Sequence, residues 1–181
     1  EDLEGNIWAA TSGDGLFRVQ VKKDEKLSFT STRFINEPKN ENSISSNLVF
    51  AMHFDKQGIL WLGTFNGLNR LDLKSGKFTS YIIRTKNQTA PDNSSQDAIS
   101  AIHEDKNGNF WLGMTGGLVN FNPTNGSFRY FPHRFDVFRY GWGNIVAIDE
   151  DKEGNLWLAT AAELMKFDVI KGVFSSFTHD P

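Results

Sequence analysis

Short apolar runs alternate with glycine-bearing polar turns along the whole chain, at the spacing of β-strands rather than helices. In one stretch, four such runs follow one another: Leu48–Asp55, Ile59–Thr64, Gly67–Leu73 and Lys77–Ile83. Runs of about 5–8 residues separated by glycine turns are typical of an antiparallel meander. We label the four predicted strands of such a unit a, b, c and d in chain order.

The turn between strands a and b carries a motif that occurs four times. It reads Asp-x-x-Gly-x-apolar-Trp, as in Asp105–Gly113. Its tryptophans at 8, 61, 111 and 157 are 53, 50 and 46 residues apart, and a period of this size indicates repeated supersecondary units. The repeated residues are Asp2, Gly5, Trp8, Asp55, Gly58, Trp61, Asp105, Gly108, Trp111, Asp151, Gly154 and Trp157.

The repeated aspartates are interpreted as turn residues rather than catalytic ones. An Asp at the start of a turn accepts backbone N–H bonds, and a Gly supplies positive φ without steric cost. Catalysis rarely needs four equivalent copies of one group. The tryptophans are likewise interpreted as packing residues rather than as a cofactor site, since each buries about 150–250 Å².

Strand b is apolar on both faces, as in Leu60–Thr64, which predicts that it is covered on both sides. The neighbouring Gly63 and Gly113 would allow an adjacent sheet to approach closely. Four-stranded sheets packed face to face, one per repeat, are the blades of a β-propeller. The predicted fold class is therefore an all-β β-propeller fragment of four-stranded antiparallel blades, with about three full blades plus three strands of another.

The repeat boundaries divide this single propeller piece into four parts. Residues 1–35 form a partial blade with strands b, c and d, and residues 36–83, 84–131 and 132–181 form the second, third and fourth blades. The first repeat begins at the end of strand a, so we expect a piece of a longer protein. Its open blade faces predict contact with the remaining blades of the parent or with another copy of the chain.

Composition narrows the function further. The net charge of −3 gives no reason to expect nucleic acid as a partner, and no apolar run is long enough for a membrane segment in this chain. No phosphate loop or zinc spacing is present, so we predict no cofactor and no metal. His53, His103 and Asp149 share one place in successive a strands, and we predict hydrogen-bonded channel residues there rather than metal ligands.

The motif Glu-Asp-Lys-Asn-Gly-Asn-Phe-Trp-Leu-Gly at 104–113, followed by Gly117-Leu118 and Gly126-Ser127-Phe128, resembles the two-component regulator propeller repeat. The fourth copy departs from it with Glu163 in place of the glycine. The resemblance implies a ligand-sensing module from the periplasmic part of a hybrid two-component histidine kinase, as found in Bacteroidetes. It also implies recognition of an oligosaccharide and signal transfer to kinase parts that this chain lacks.

The long connections between strands d and a differ from one another: Asn36–Asn47, Arg84–Asp97 and Pro132–Gly143. Variable loops on a rigid scaffold concentrate function, so the face with the d–a and b–c loops is the predicted recognition face. The first two connections are predicted to be solvated loops.

The third connection, Pro132–Gly143, combines aromatic rings, which stack on sugars, with arginines, which bind carboxylate or sulfate. The predicted ligand-binding residues are Arg134, Phe135, Phe138, Arg139, Tyr140 and Trp142. The competing interpretation is that these aromatics cover a blade edge.

Two other functions stay open alongside the sensor. A propeller glycosidase or polysaccharide lyase would need two opposed carboxylates or a His/Tyr pair in a pocket. The carboxylates outside the turns show no such spacing, namely Glu37, Glu41, Asp92, Asp97 and Asp136. We therefore predict no enzyme activity. The remaining alternative is a pure protein-interaction scaffold.

Overall fold

The computed structural model describes residues 1–23, 27–83, 97–133, 144–160 and 163–177, without the side chains of residues 22, 23 and 27. Within these ranges every regular element is a strand, and no helix is present. The strands form three four-stranded sheets and one three-stranded sheet. The predicted all-β class, with three complete sheets and three strands of another, is confirmed.

The sheets follow one another along the chain, and the strands of the second sheet are close to their predicted bounds. The first sheet contains β1 (Ile7–Ala10), β2 (Leu16–Lys23) and β3 (Leu27–Phe34); the second contains β4 (Val49–Phe54), β5 (Leu60–Thr64), β6 (Gly67–Leu71) and β7 (Phe78–Tyr81); the third contains β8 (Ile99–Glu104), β9 (Phe110–Met114), β10 (Gly117–Phe121) and β11 (Phe128–Pro132); the fourth contains β12 (Ile145–Glu150), β13 (Leu156–Thr160), β14 (Leu164–Asp168) and β15 (Val173–Phe177).

Every ladder joins two strands that are consecutive in the chain, and every pair is antiparallel. The first strand of each complete sheet has one irregularity, where the register shifts between Val49 and Ala51, Ile99 and Ala101, or Ile145 and Ala147. Such a bulge bends a strand and increases its twist.

The chain divides into two compact units, Glu1–Ile82 and Ile83–Pro181, each with two sheets. In the first unit the sheets share one core, in which Trp8 stacks on Phe34 with ring centroids 5.7 Å apart. Phe34 in turn meets Phe78 of the second sheet edge-on at 5.8 Å. The finer blade boundaries between residues 35 and 36, 83 and 84, and 131 and 132 stay a prediction.

The second unit repeats this arrangement with its own core. Trp111 of the third sheet meets Phe167 of the fourth edge-on, with centroids 5.6 Å apart. A Cβ added to Gly113 would lie 2.9 Å from the Cβ of Ile145 on the adjacent sheet. The predicted close approach at this glycine is therefore confirmed, because only a hydrogen atom fits there.

Strand b is the most buried element of the middle sheets. All residues of β5 and of β9 are buried, as the apolar pattern on both faces predicted. In β13 of the fourth sheet only Leu156 and Leu158 are buried. The prediction of two covered faces thus fails for the fourth sheet, where Trp157 remains partly exposed.

The connection Asn36–Asn47 is not simply a solvated loop, which corrects the prediction for its second half. Ile44 is fully buried and belongs to the core of the first unit. The Ser45 N–H donates to Oδ1 of Asn69, a buried residue of β6, at 3.0 Å. Only residues 37–42 are continuously exposed. The connection is held against the sheet by a hydrogen bond to the buried Asn69 side chain, which the pattern of strands in the sequence does not reveal.

Candidate functional site

The four repeated turns share one hydrogen-bond pattern, which Asp55–Ile59 illustrates. The Gly58 N–H donates to the carbonyl oxygen of Asp55 at 2.9 Å, and the Asp55 N–H donates to that of Ile59 at 3.0 Å. Carboxylate oxygen Oδ1 of Asp55 accepts the N–H groups of Gln57 and Ile59 at 2.9 and 2.8 Å. The φ of Gly58 is 79°, a left-handed value that glycine adopts without steric cost.

The second carboxylate oxygen of each repeated aspartate accepts a hydrogen bond from a tryptophan. Asp55 Oδ2 accepts the indole Nε1–H of Trp61 at 2.9 Å. The equivalent distance is 2.8 Å in the first repeat and 3.2 Å in the third and fourth. We did not predict this bond from the sequence, although its signal was the constant separation of six residues between Asp and Trp. It joins the turn to the inter-sheet core.

Hydrogen bonding holds three of these carboxylates in the ionised form. Burial acts to raise the pKa of Asp105, but the hydrogen bonds from Asn109, Trp111 and Asn107 outweigh it and lower the pKa. The pKa values of Asp2 and Asp151 are lowered for the same reason. Burial acts to raise each pKa, and the hydrogen bonds that the carboxylate accepts lower it by more. Because structural donors saturate these carboxylates, we assign them to the scaffold.

A threonine hydroxyl closes the b–c turn in three repeats. The Oγ1 atoms donate to a carbonyl oxygen at the start of strand c at 2.8, 3.0 and 3.1 Å, in the pairs Thr11–Gly15, Thr64–Gly67 and Thr160–Glu163. The fourth turn keeps this bond although a glutamate replaces the glycine. In these three repeats the threonine therefore bonds to the backbone of its own turn.

The residues at the shared position of the a strands, His53, His103 and Asp149, do not all have the same surroundings: His103 and Asp149 differ in burial and in hydrogen bonding. The Nε2 atom of His103 is buried. It lies 3.8 Å from Oε2 of Glu150, which is too far for a hydrogen bond. The predicted hydrogen bond is therefore wrong for this nitrogen. Asp149 is exposed, and its carboxylate accepts the N–H of the adjacent Glu150. Across the described ranges, no group of three His, Asp or Glu side chains could hold a metal ion.

The predicted ligand-binding residues Arg134, Phe135, Phe138, Arg139, Tyr140 and Trp142 lie outside the described residues. The residues that flank this segment are described, and both contact the b–c turn of the third sheet. The His133 N–H donates to the carbonyl oxygen of Gly116 at 2.9 Å. On the other side, Asn144 forms a bridge with Thr115, whose hydroxyl also meets Oδ1 of Asn144 at 2.6 Å.

We expect acidification to weaken the second unit through His133. Its ring meets Phe174 edge-on at 4.8 Å, and burial lowers its pKa below the ordinary 6.5, while Glu163 acts in the opposite direction. The unfolded chain therefore binds the proton first, and stability falls as pH drops through the unfolded and then the folded pKa. Urea unfolding at about pH 7.5 and about pH 5.5 should show a smaller fall for His133→Gln than for the parent chain. Equal falls would contradict this role.

A cavity of about 410 Å³ lies in the first unit, lined by both of its a–b turns and by the c–d turn of the second sheet. Trp8, Phe54 and Leu73 give it apolar walls, while Arg18 and Lys74 contribute positive charge. It therefore lies at the opposite ends of the strands from the predicted recognition face. Nothing in the strand pattern indicated this cavity.

The equivalent place in the second unit holds a smaller cavity of about 180 Å³. Its walls contain Lys106 and Glu150, where the first unit has Leu3 and Phe54 at the same repeat positions. The ammonium group of Lys106 lies 3.3 Å from Oε1 of Glu150, and its backbone N–H donates to Oε2 at 3.2 Å. An ion pair thus spans the second cavity, whereas two apolar residues line the first.

Arg18 brings a guanidinium group to the wall of the larger cavity. It lies opposite Trp8 in the ladder between β1 and β2, a position that Arg70 and Lys166 hold in the second and fourth sheets and Asn120 holds in the third. Its guanidinium carbon lies 5.9 Å from the Trp8 ring centroid, and its buried Nε has no hydrogen-bond partner among the described residues. An unsatisfied buried donor costs about 1–3 kcal/mol.

Three segments of the chain match the family model described as two component regulator propeller: residues 43–66, 93–116 and 140–162. Each includes an a–b turn and strand b of one of the three complete sheets. These three segments are two-component regulator propeller repeats. The predicted resemblance is therefore confirmed, and the four sheets are of the propeller-blade type.

Solved structures agree with these propeller repeats. The extracellular domain of a putative hybrid two-component system from B. thetaiotaomicron is 26% identical over 96% of this chain, with a TM-score of 0.67. A second extracellular domain from B. thetaiotaomicron, of a putative one-component system, is 19% identical over 98% of the chain, with a TM-score of 0.73, and shows the shared fold. The chain spans 22% of each of these two domains.

Enzyme structures also share the fold of these repeats. Virginiamycin B lyase from Staphylococcus aureus is 14% identical, covers the whole of this chain and 54% of its own, and gives a TM-score of 0.66. At this identity the likeness shows the fold alone. A comparison with curated proteins finds no match.

Proposed function

We propose that this chain is part of the ligand-sensing module of a two-component sensor. The observation that carries this proposal is the match of three repeats to two-component regulator propellers. The 26% identity to an extracellular domain of a putative hybrid two-component system supports it. The chain would then act outside the cytoplasm, in the periplasm, and pass its signal to kinase parts that it does not contain. Among the described residues, no helix is long and apolar enough to cross a membrane.

We further propose that the sensed ligand is an oligosaccharide or another small polar molecule, bound through the long d–a connections. Arg134, Arg139 and the aromatic rings between them would provide planar donors and stacking surfaces for such a ligand. The anchored flanks support this assignment, because His133 and Asn144 both bond to the b–c turn of the third sheet. Rigidly held ends reduce the entropy that a binding loop loses on contact with its ligand.

Calorimetric titration of an oligosaccharide panel against the 181-residue chain tests this assignment. The double variant Arg139→Ala, Trp142→Ala should bind the best ligand at least about tenfold more weakly, since arginine and tryptophan dominate binding energy at contact surfaces. The matched control is Arg33→Ala, Phe29→Ala, which removes an exposed arginine and an exposed ring from the first sheet. Unchanged affinity in the first double variant would exclude this connection as the binding site.

Binding without turnover is part of the same proposal. The carboxylates considered for catalysis include Glu37 and Glu41, which are exposed, and Glu37 accepts a hydrogen bond from the Asn40 side chain at 2.8 Å. A glycosidase needs one carboxyl group with a raised pKa near a second carboxylate. Hydrolysis or elimination of any glycan in the panel would contradict the proposal and favour the enzyme alternative.

The partner of the fourth sheet is, we propose, a further blade of the parent or another copy of the chain. Its outer face carries Trp157, Leu164 and Phe177, and the last two are 45% and 50% exposed. Leu164 lies between Ala159 and Phe177 in its sheet, just as Leu118 lies between Gly113 and Phe131 in the third sheet. That face of the third sheet is buried in the core of the second unit. The interaction-scaffold alternative rests on the same face.

A further inference from the structure

We propose that the cavity of the first unit binds a small molecule that carries a carboxylate on an apolar body. This site goes beyond the proposed function, because it lies at the a–b and c–d turns and not at the long d–a connections. Its volume of about 410 Å³ is within the usual range of small-ligand pockets, whereas the equivalent 180 Å³ cavity of the second unit is below it.

Among the charged groups that line the cavity, the guanidinium of Arg18 is the one that favours an anionic group. Arg18 lines the cavity, and its buried Nε lacks an acceptor within the described part of the chain. Lys74, at the rim, stands where the second unit has Ile170. A ligand carboxylate would supply the missing acceptor through a charge-assisted hydrogen bond, and the planar guanidinium is well suited to it.

The acidic residues of the wall are already engaged or exposed. Asp2 accepts four hydrogen bonds from its own turn and from Trp8, and Asp55 is equally committed to its turn and to Trp61. Glu1 and Glu4 lie at the exposed edge. None of these carboxylates is within ion-pair distance of Arg18 in the described residues. The internal anions therefore leave the guanidinium available to a ligand.

The apolar part of the ligand would contact Trp8, Phe54 and Leu73. Phe54 and Leu73 pack against the core of the first unit, so they form a fixed wall, and Trp8 is held by its bond to Asp2. In the second unit, Glu150 takes the place of Phe54 and pairs with Lys106. The same scaffold thus presents a small cavity with an ion pair in one unit and a larger amphipathic cavity in the other.

Titration of the 181-residue chain with 3-phenylpropionate and with its neutral analogue 3-phenylpropionamide tests the proposal. Calorimetry and tryptophan fluorescence should both show the carboxylate binding at least about tenfold more tightly than the amide. Arg18→Gln should remove this preference. Arg33→Gln is the matched control, because it removes the same charge from the first sheet and should leave the preference intact.

A second variant keeps the test decisive if Arg18→Gln does not fold. The double substitution Leu3→Lys, Phe54→Glu installs the lysine and glutamate of the second unit and should weaken phenylpropionate binding at least about tenfold. Equal affinity for the two probes, an unchanged preference in Arg18→Gln, or no binding by the folded parent chain would each overturn the proposal. Since the probes contain no sugar, none of these outcomes affects the oligosaccharide assignment.

Discussion

Replacement of Asp105 by alanine should lower the free energy of unfolding of the second unit by about 2–4 kcal/mol. The change removes the acceptor for the backbone N–H groups of Asn107 and Asn109 and for the indole N–H of Trp111. Trp111 is 4% exposed, so its indole N–H loses a hydrogen-bond acceptor in a largely buried position. Urea unfolding at neutral pH, followed by far-ultraviolet circular dichroism, measures the difference.

Two further variants separate the turn from the tryptophan. Asp149→Ala removes an exposed carboxylate from the same unit and should change stability by less than about 0.5 kcal/mol. Trp111→Phe, alone and combined with Asp105→Ala, forms a cycle in which the two effects should not add, because they share one hydrogen bond. Simple additivity would show that the Asp–Trp bond contributes nothing.

The loss of stability in Asp105→Ala should depend on pH in a definite direction. Because the pKa of Asp105 is lowered in the folded protein, its stabilisation is present above the ordinary value of 3.8. It is lost as pH falls through that value towards the folded pKa. The difference between the parent chain and Asp105→Ala should therefore narrow in acid. A difference that grew below about pH 4 would contradict this account.

Replacement of Gly67 by alanine should destabilise the first unit by about 3 kcal/mol or more. Gly67 has φ of 94°, and an added Cβ would lie 2.5 Å from the carbonyl oxygen of Tyr81. That oxygen belongs to the backbone of β7, so relief of the contact requires movement of a whole strand. Thermal and urea unfolding should both report the loss.

Gly58→Ala is the matched control for the backbone angle. Its φ of 79° is equally left-handed, but the nearest atom to an added Cβ is a side-chain carbon of the exposed Leu3 at 3.5 Å. Its cost should therefore be about 1–2 kcal/mol, from the backbone conformation alone. Equal losses in the two variants would mean that the contact with Tyr81 relaxes without cost.

Much of the fold follows from local sequence. Gly58, Trp61 and the apolar alternation around them predict a turn, a buried strand and a meander, because each depends on neighbouring residues only. The Asp–Trp hydrogen bond was missed, since it depends on the direction of two side chains on either side of a turn. The burial of the second half of Asn36–Asn47 was missed for a related reason. The Ser45 N–H donates to Asn69, and nothing in the sequence of the strand that contains Asn69 marks it as an acceptor for a distant loop.

The candidate site was less accessible from sequence. The loop containing Arg139 and Trp142 was chosen for its composition, and it lies outside the described residues. The cavity beside Arg18 depends on how two sheets meet, and its walls include two positions, Leu3 and Phe54, at which the repeats differ. Leu3 and Phe54 replace a lysine and a glutamate that pair in the second unit. The contrast becomes visible only when the repeats are compared position by position in three dimensions.

The pairing of each strand with its immediate neighbour in the chain has a consequence for how this protein is made. In the part of the chain that the structure describes, no hydrogen-bonded ladder needs residues from a distant part of the sequence, so contact order within each sheet is low and loop-closure entropy is small. A sheet can complete as soon as its fourth strand has left a ribosome or a translocation pore. The nascent chain then exposes one unfinished sheet at a time, which limits misfolding during synthesis.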